Sequence, residues 1–278
     1  MNHSRDTAIL LVTFGTNVTQ AATSFKNLED KVKETFPNIE VRWAYTAKSI
    51  RQRLGKMGFH YDSPVTALAR LQDEGYTRVA VQSVHMIAGQ EYYDLVNVVE
   101  NMSHLRGISG HNFSSKIGKF GFEKLVLGKP MLYHQSDYEA VIKFLKCCLP
   151  SNSPEHALVL VGHGSEHPAF STYGCLNDML RRTCPNLFLG TVEGFPSLTD
   201  VKEDLVKARA KEITIMPFMN IAGEHALSDL AGDGEDSWKS VLSPLFKVNI
   251  NLSGLLDYED IVKIYIDHLI AVFEELHN

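Results

Sequence analysis

The stretch His156 to Gly164, HALVLVGHG, decides the architecture. Its unbroken apolar run, Ala157 to Val161, suits a strand buried on both faces, as in a parallel sheet covered by helices. The run ends in Gly162, His163 and Gly164, where a strand would leave its sheet. AILLVTFGT (Ala8 to Thr16) has the same form. Leu11-Val12-Thr13-Phe14-Gly15-Thr16 can be laid on Leu160-Val161-Gly162-His163-Gly164-Ser165 at an offset of 149 (163 less 14).

From these two runs the same order of elements unrolls twice. After the first come a helical pattern with Phe25, Leu28, Val32 and Phe36, the strand EVRWAY (Glu40 to Tyr45), a short helix around Ile50 and Leu54, a helix opening at Ser63-Pro64, and the strand RVAVQSVHM (Arg78 to Met86). After the second come a helix to about Arg182, LFLGTVE (Leu187 to Glu193), a helix from Ser197, EITIMPFMN (Glu212 to Asn220), KVNINLSG from Lys247, and a closing amphipathic helix, Asp257 to Leu276. A matching fourth strand of the first half is expected near SKIGKFGF, Ser115 to Phe122. Ile87-Ala88-Gly89 lies on Ile221-Ala222-Gly223 at an offset of 134 (221 less 87), and Ala44-Tyr45-Thr46 on Thr191-Val192-Glu193 at 147 (193 less 46). Ordered anchors of this kind mark one βα unit used twice. The expected fold is α/β with two similar lobes, each a parallel four-stranded sheet flanked by helices. The lobes are expected at 1–150 and 151–278, joined after Pro150 by SNSPEH.

The 278 residues carry 27 Lys and Arg against 33 Asp and Glu, a net charge of −6, which argues against a general nucleic-acid binder. The first apolar run passes directly into Thr13 and Gly15 and reads as a strand, not a signal peptide. No run is long enough for a membrane span. Cys147, Cys148, Cys175 and Cys184 have neither zinc-finger nor redox spacing and read as reduced thiols of a cytoplasmic protein.

Ligands of an open parallel sheet bind beyond the carboxyl ends of its strands. In the second half each of the first three strands delivers one polar group there: His163, Glu193 and His225, thirty and thirty-two residues apart. Two neutral imidazoles and a carboxylate suit a divalent first-row ion and leave positions open for exchange. Gly162, Gly164, Gly194 and Gly223 flank them and allow sharp turns or close approach of a flat ligand. Ser165 does not sit in a nucleophile elbow. There is no phosphate loop and no dinucleotide fingerprint, so neither ATP nor another nucleotide is expected. His167 and His156 read as a helix start and a strand start.

At these residues the sequence resembles the class II tetrapyrrole metal chelatases, most closely the anaerobic sirohydrochlorin cobaltochelatases of the CbiK type. LLVTFGT, AYTAKSIRQRL, HMIAGQEYYDL, LVLVGHGSEHP, GTVEGFPS and MNIAGEHALSDLAG carry the resemblance, which spans the chain. It implies two α/β lobes enclosing a tetrapyrrole cleft, with the family's metal-binding His, Glu and His on His163, Glu193 and His225. The implied reaction is ATP-independent insertion of Co2+ into sirohydrochlorin. Fe2+ or Ni2+ are possible metals in vitro.

Insertion removes two pyrrole protons, and a neutral imidazole can hold the ion or accept a proton. Neither spacing nor resemblance assigns these roles between His163 and His225. The pseudo-repeat lays Glu91 on His225 and Phe14 on His163. Glu91 is therefore expected to face the cleft and assist proton or metal transfer, and Phe14 to pack on the ring, against the plainer roles of helix-start acid and core residue. Gly15, and Gly89 two residues before Glu91, join the expected ring-side positions. Lys48, Arg51 and Arg53 follow the second strand and could receive the carboxylates of sirohydrochlorin. Two alternatives keep the same residues: a ferrochelatase acting on sirohydrochlorin or a porphyrin, and a non-catalytic metal or haem carrier. The closing helix could support a homo-oligomer; no nucleic acid or membrane partner is expected.

Overall fold

The computed structural model describes residues 6–105, 121–150, 153–223 and 226–278. The chain runs β1 (Thr7–Thr13), α1 (Thr19–Thr35), β2 (Glu40–Tyr45), α2 (Lys48–Lys56), α3 (Pro64–Asp73), β3 (Arg78–Ser83), α4 (Gln90–His104), β4 (Lys124–Gly128) and α5 (Gln135–Cys147). It continues through β5 (His156–Gly164), α6 (Ser171–Thr183), β6 (Leu187–Glu193), α7 (Leu198–Lys207), β7 (Glu212–Pro217), a π-helical turn (Ala226–Leu230), α8 (Trp238–Leu242), β8 (Lys247–Ile250) and α9 (Glu259–His277). Among the described residues these strands form two four-stranded parallel sheets, ordered β2-β1-β3-β4 and β6-β5-β7-β8. No helix of the described residues is long and apolar enough to cross a membrane.

The apolar runs occupy the inner strands because those are covered on both faces. Ala8 to Val12 are wholly buried; Ala8, Leu10 and Val12 face one cluster with Leu68, Leu71, Val81 and Leu95. In the second sheet Ala157, Val159 and Val161 do the same with Phe188, Leu205, Trp238 and Leu242. Side chains cap helix starts, as at α3 and α7. The Ser63 hydroxyl accepts from Thr66 N–H at 3.2 Å ahead of Pro64. Ser197 and Asp200 exchange side-chain to backbone bonds at 3.3 and 2.8 Å at the head of α7.

Strand register sharpens the internal repeat. Val12 pairs with Ser83 and Val161 with Pro217, which reproduces the offset of 134 (217 less 83). Val12 also pairs with Ala44 and Val161 with Gly190, an offset of 146 (190 less 44), so Glu193 corresponds to Ala47 and not to Thr46. The fourth strand of the first sheet is Lys124–Gly128, where KLVLG supplies the apolar run; Phe122 precedes it, and 115–120 lie outside the described residues. Strand β3 stops at Ser83, short of Met86, and His156 opens β5, the strand start that the sequence indicates.

Contacts divide the chain into two compact units. One comprises Met1–Asn17, Leu28–Met131 and Tyr265–Asn278, the other Val18–Asn27 and Leu132–Ile264. This division differs from a single boundary at 150, and named contacts explain it. Within the second unit the Ser24 hydroxyl donates to Asp257 at 2.6 Å and Asn27 to the Leu256 carbonyl at 3.3 Å. Within the first, the Phe36 and Phe273 rings pack at a 42° tilt with centroids 4.7 Å apart, and His268 meets the Lys129 carbonyl at 3.2 Å.

Candidate functional site

In the second unit, β5 leaves the sheet through Gly162, His163 and Gly164. Gly162 lies against the Tyr173 ring of α6: a Cβ there would come within 2.7 Å of Cε1. Tyr173 is buried, and lost hydration pushes its phenol up to about 12, offset in part by a hydrogen bond with the Gly164 backbone. Gly164 has φ +87° and pairs with Glu193 of β6; a Cβ would fall 1.6 Å from the Glu193 carbonyl oxygen. Only glycine fits that approach.

The close pairing sets two exposed side chains, His163 and Glu193, at the carboxyl ends of adjacent strands. His163 Nδ1 is 3.4 Å from the Gly164 carbonyl. His225 lies outside the described residues. The chain resumes after it in the π-helical turn Ala226–Leu230, a form often found at functional sites. Among the described residues no three His, Cys, Asp or Glu gather closely enough to hold an ion. The neighbouring histidines do other work. His167 caps the turn before α6, its Nδ1 accepting from Ala169 N–H at 3.1 Å, and His156 Nε2 meets Thr214 at 3.0 Å.

In the first unit, Phe14 is 46% exposed just beyond β1. Gly15, which the repeat lays on Gly164, shares its positive φ, at +99°, and presses against the Tyr45 ring. Helix α2 follows β2 directly. Successive residues turn by about 100°, so Lys48 and Arg51 share one face while Arg53 lies on the far side from Arg51. Arg51 Nη1 donates to the Tyr45 carbonyl at 3.1 Å, whereas Lys48 and Arg53 are exposed.

Gly89 is the N-cap of α4 and Glu91 stands in its first turn. The Glu91 carboxylate is 3.6 Å from His85 Nε2. Burial of the carboxyl end, then Asp94, push its pKa up to about 7. His85 follows β3 and is buried; burial holds its imidazole down at about 4, so it is neutral at neutral pH. His85 was not among the residues singled out from sequence, although a histidine closing the run RVAVQSVH was the available signal.

The family model described as cobalt chelatase (CbiK) matches residues 7–274. A sirohydrochlorin cobaltochelatase CbiKC of Nitratidesulfovibrio vulgaris is 36% identical over 273 residues, covering 97% of this chain and 92% of that protein. The sirohydrochlorin cobaltochelatase of Salmonella typhimurium is 31% identical over 267 residues, covering 94% of each. Among solved structures, SirB from Bacillus subtilis with Fe3+ superposes with a TM-score of 0.60 at 15% identity, covering 96% of this chain and 95% of that one, which is a likeness of fold. With two parallel sheets of matching order, glycine-flanked His163 and Glu193 on paired strand ends, and a family match across nearly its whole length, the chain belongs to the cobalt chelatase (CbiK) family.

Proposed function

We propose that this protein inserts Co2+ into sirohydrochlorin without ATP, with the metal ion as substrate. The observation that carries this reading is the pairing of Gly164 with Glu193, since His163 and Glu193 then stand at the carboxyl ends of adjacent strands, the edge where a parallel sheet binds ligands. His163, Glu193 and His225 hold the incoming ion. Imidazole and carboxylate donors suit Co2+, and three of them leave positions for water to depart and pyrrole nitrogens to enter.

Insertion exchanges one dication for two pyrrole protons. His163 or His225 takes one. Glu91 takes the other: with a pKa near 7 it is partly ionised at neutral pH and can both accept and release a proton. Phe14, an exposed aromatic at a strand end, gives the ring an apolar surface, and Gly15 and Gly89 keep the adjacent backbone low enough for a flat ligand. Lys48 and Arg51 on one face of α2, with Arg53 on the other, receive ring carboxylates. Four free cysteines accord with action in the reducing cytoplasm.

The test is continuous spectroscopic insertion with sirohydrochlorin, and with a porphyrin beside it, across Co2+, Fe2+ and Ni2+, with the uncatalysed rate subtracted. Catalysed turnover with Co2+ and sirohydrochlorin is expected. Binding of both without turnover would identify a carrier and overturn the proposal, and turnover confined to Fe2+ would reassign the metal.

A further inference from the structure

The end of β3 holds a buried polar chain that the proposed reaction leaves unused. His85 is only 8% exposed, and its position is fixed from three sides. Its carbonyl accepts from Met131 N–H at 2.9 Å and from the Tyr265 hydroxyl at 3.1 Å, and its Nδ1 lies 2.9 Å from the Ser83 hydroxyl. The other ring nitrogen, Nε2, is enclosed with no hydrogen-bond partner among the described residues. A native fold rarely leaves such an atom unmatched. The group in front of it is Glu91 Oε2, at 3.6 Å, just beyond hydrogen-bond range.

The tautomer follows from these neighbours. A neutral imidazole carries one ring proton. Placed on Nδ1, it would turn the Nε2 lone pair towards a carboxylate, lone pair against negative charge. With the Ser83 hydroxyl donating to Nδ1, the proton sits on Nε2 and points at Glu91. Catalytic hydrogen bonds are often long before substrate binds and tighten afterwards.

We propose that His85 is the positioning residue for Glu91: its Nε2–H closes on Oε2 when the carboxylate is charged, and leaves Oε1 to accept the pyrrole proton. That proton moves from ring nitrogen to Glu91 Oε1 and then to water, while His85 stays neutral and Ser83 keeps its own proton. The proposal rests on Glu91 as proton acceptor. A donor to the ionised form also works against the lost hydration and the Asp94 charge that raise the Glu91 pKa.

The experiment is Co2+ insertion by the full chain carrying His85→Phe, His85→Gln, Ser83→Ala, Glu91→Gln and the Phe/Gln pair His85→Phe with Glu91→Gln. His85→Phe should lower kcat about tenfold with both KM values within about twofold, and move the acid limb of the kcat profile to higher pH. His85→Gln, whose amide nitrogen can stand near Nε2, should restore most of both. In the Glu91→Gln background His85→Phe should cost less than about twofold, because the two act as one unit. Equal losses in the two backgrounds, or a stationary acid limb, overturn the positioning role while leaving Glu91 in place. Full activity of Glu91→Gln instead overturns the reading of Glu91 itself. Should His85→Phe fail to fold, Ser83→Ala carries the same test: a few-fold loss in kcat that vanishes with Glu91→Gln supports the role, and one that persists refutes it.

Discussion

Gly164 and Glu193 approach so closely across β5 and β6 that a single methyl group on the glycine would overlap the glutamate carbonyl. Gly164→Ala should therefore cost at least about 2 kcal/mol in urea unfolding, from positive φ and steric conflict together. Activity should fall further than stability alone explains, since the Glu193 backbone would be displaced at the strand end. A variant that unfolds like wild type and turns over normally would show the approach to be looser than this.

His163→Ala removes an exposed imidazole and Glu193→Gln neutralises an exposed carboxylate, so neither should shift unfolding by more than about 0.5 kcal/mol. Each should nevertheless reduce Co2+ insertion by roughly a hundredfold or more. Activity near wild type under saturating metal in both variants would remove them from the ion's path.

The first unit should show opposed pH effects. His85 has its folded pKa lowered to about 4 from 6.5, so the stability it contributes is full above 6.5 and is lost as pH falls towards 4. Relative to His85→Gln, wild type should lose about 3 kcal/mol across that window. Glu91 has its folded pKa raised from 4.5 to about 7, so its ionisation destabilises the fold as pH rises between those values, and Glu91→Gln should abolish that slope. Urea midpoints at pH 4 to 8 check both signs.

The two faces of α2 should separate in binding. Lys48→Ala and Arg51→Ala should each raise KM for sirohydrochlorin several-fold, in line with about 1 kcal/mol per charged contact, and Arg53→Ala should do less. Raised salt should shrink these differences. Equal effects at all three positions would mean that the helix face does not order the carboxylates.

Much of the fold was legible because inner strands advertise themselves. AILLVTF and HALVLV read as buried strands, and the offset of 134 between the third strands survived into the register. The weaker match between second strands slipped by one residue, since Tyr45 and Val192 are both apolar and pattern alone cannot choose between neighbours. KLVLG is an edge strand of five residues, partly exposed, and its short apolar run was overshadowed by the segment before it. At the site, residues standing at strand ends were visible, whereas Tyr173 and His85 were not. Their roles depend on which glycine or carboxylate each ends up touching, and that is set by packing between elements distant in sequence.

The exchange of segments between the two units bears on how the protein is made. The first unit opens with β1 but includes Tyr265–Asn278, and it is Tyr265 whose hydroxyl anchors the carbonyl of His85. During synthesis, then, the first unit lacks its closing segment until the whole of the second, which ends at Ile264, has been made. A chain released after Pro150 would lack that segment, and neither half is a module that can be cut out and expected to fold.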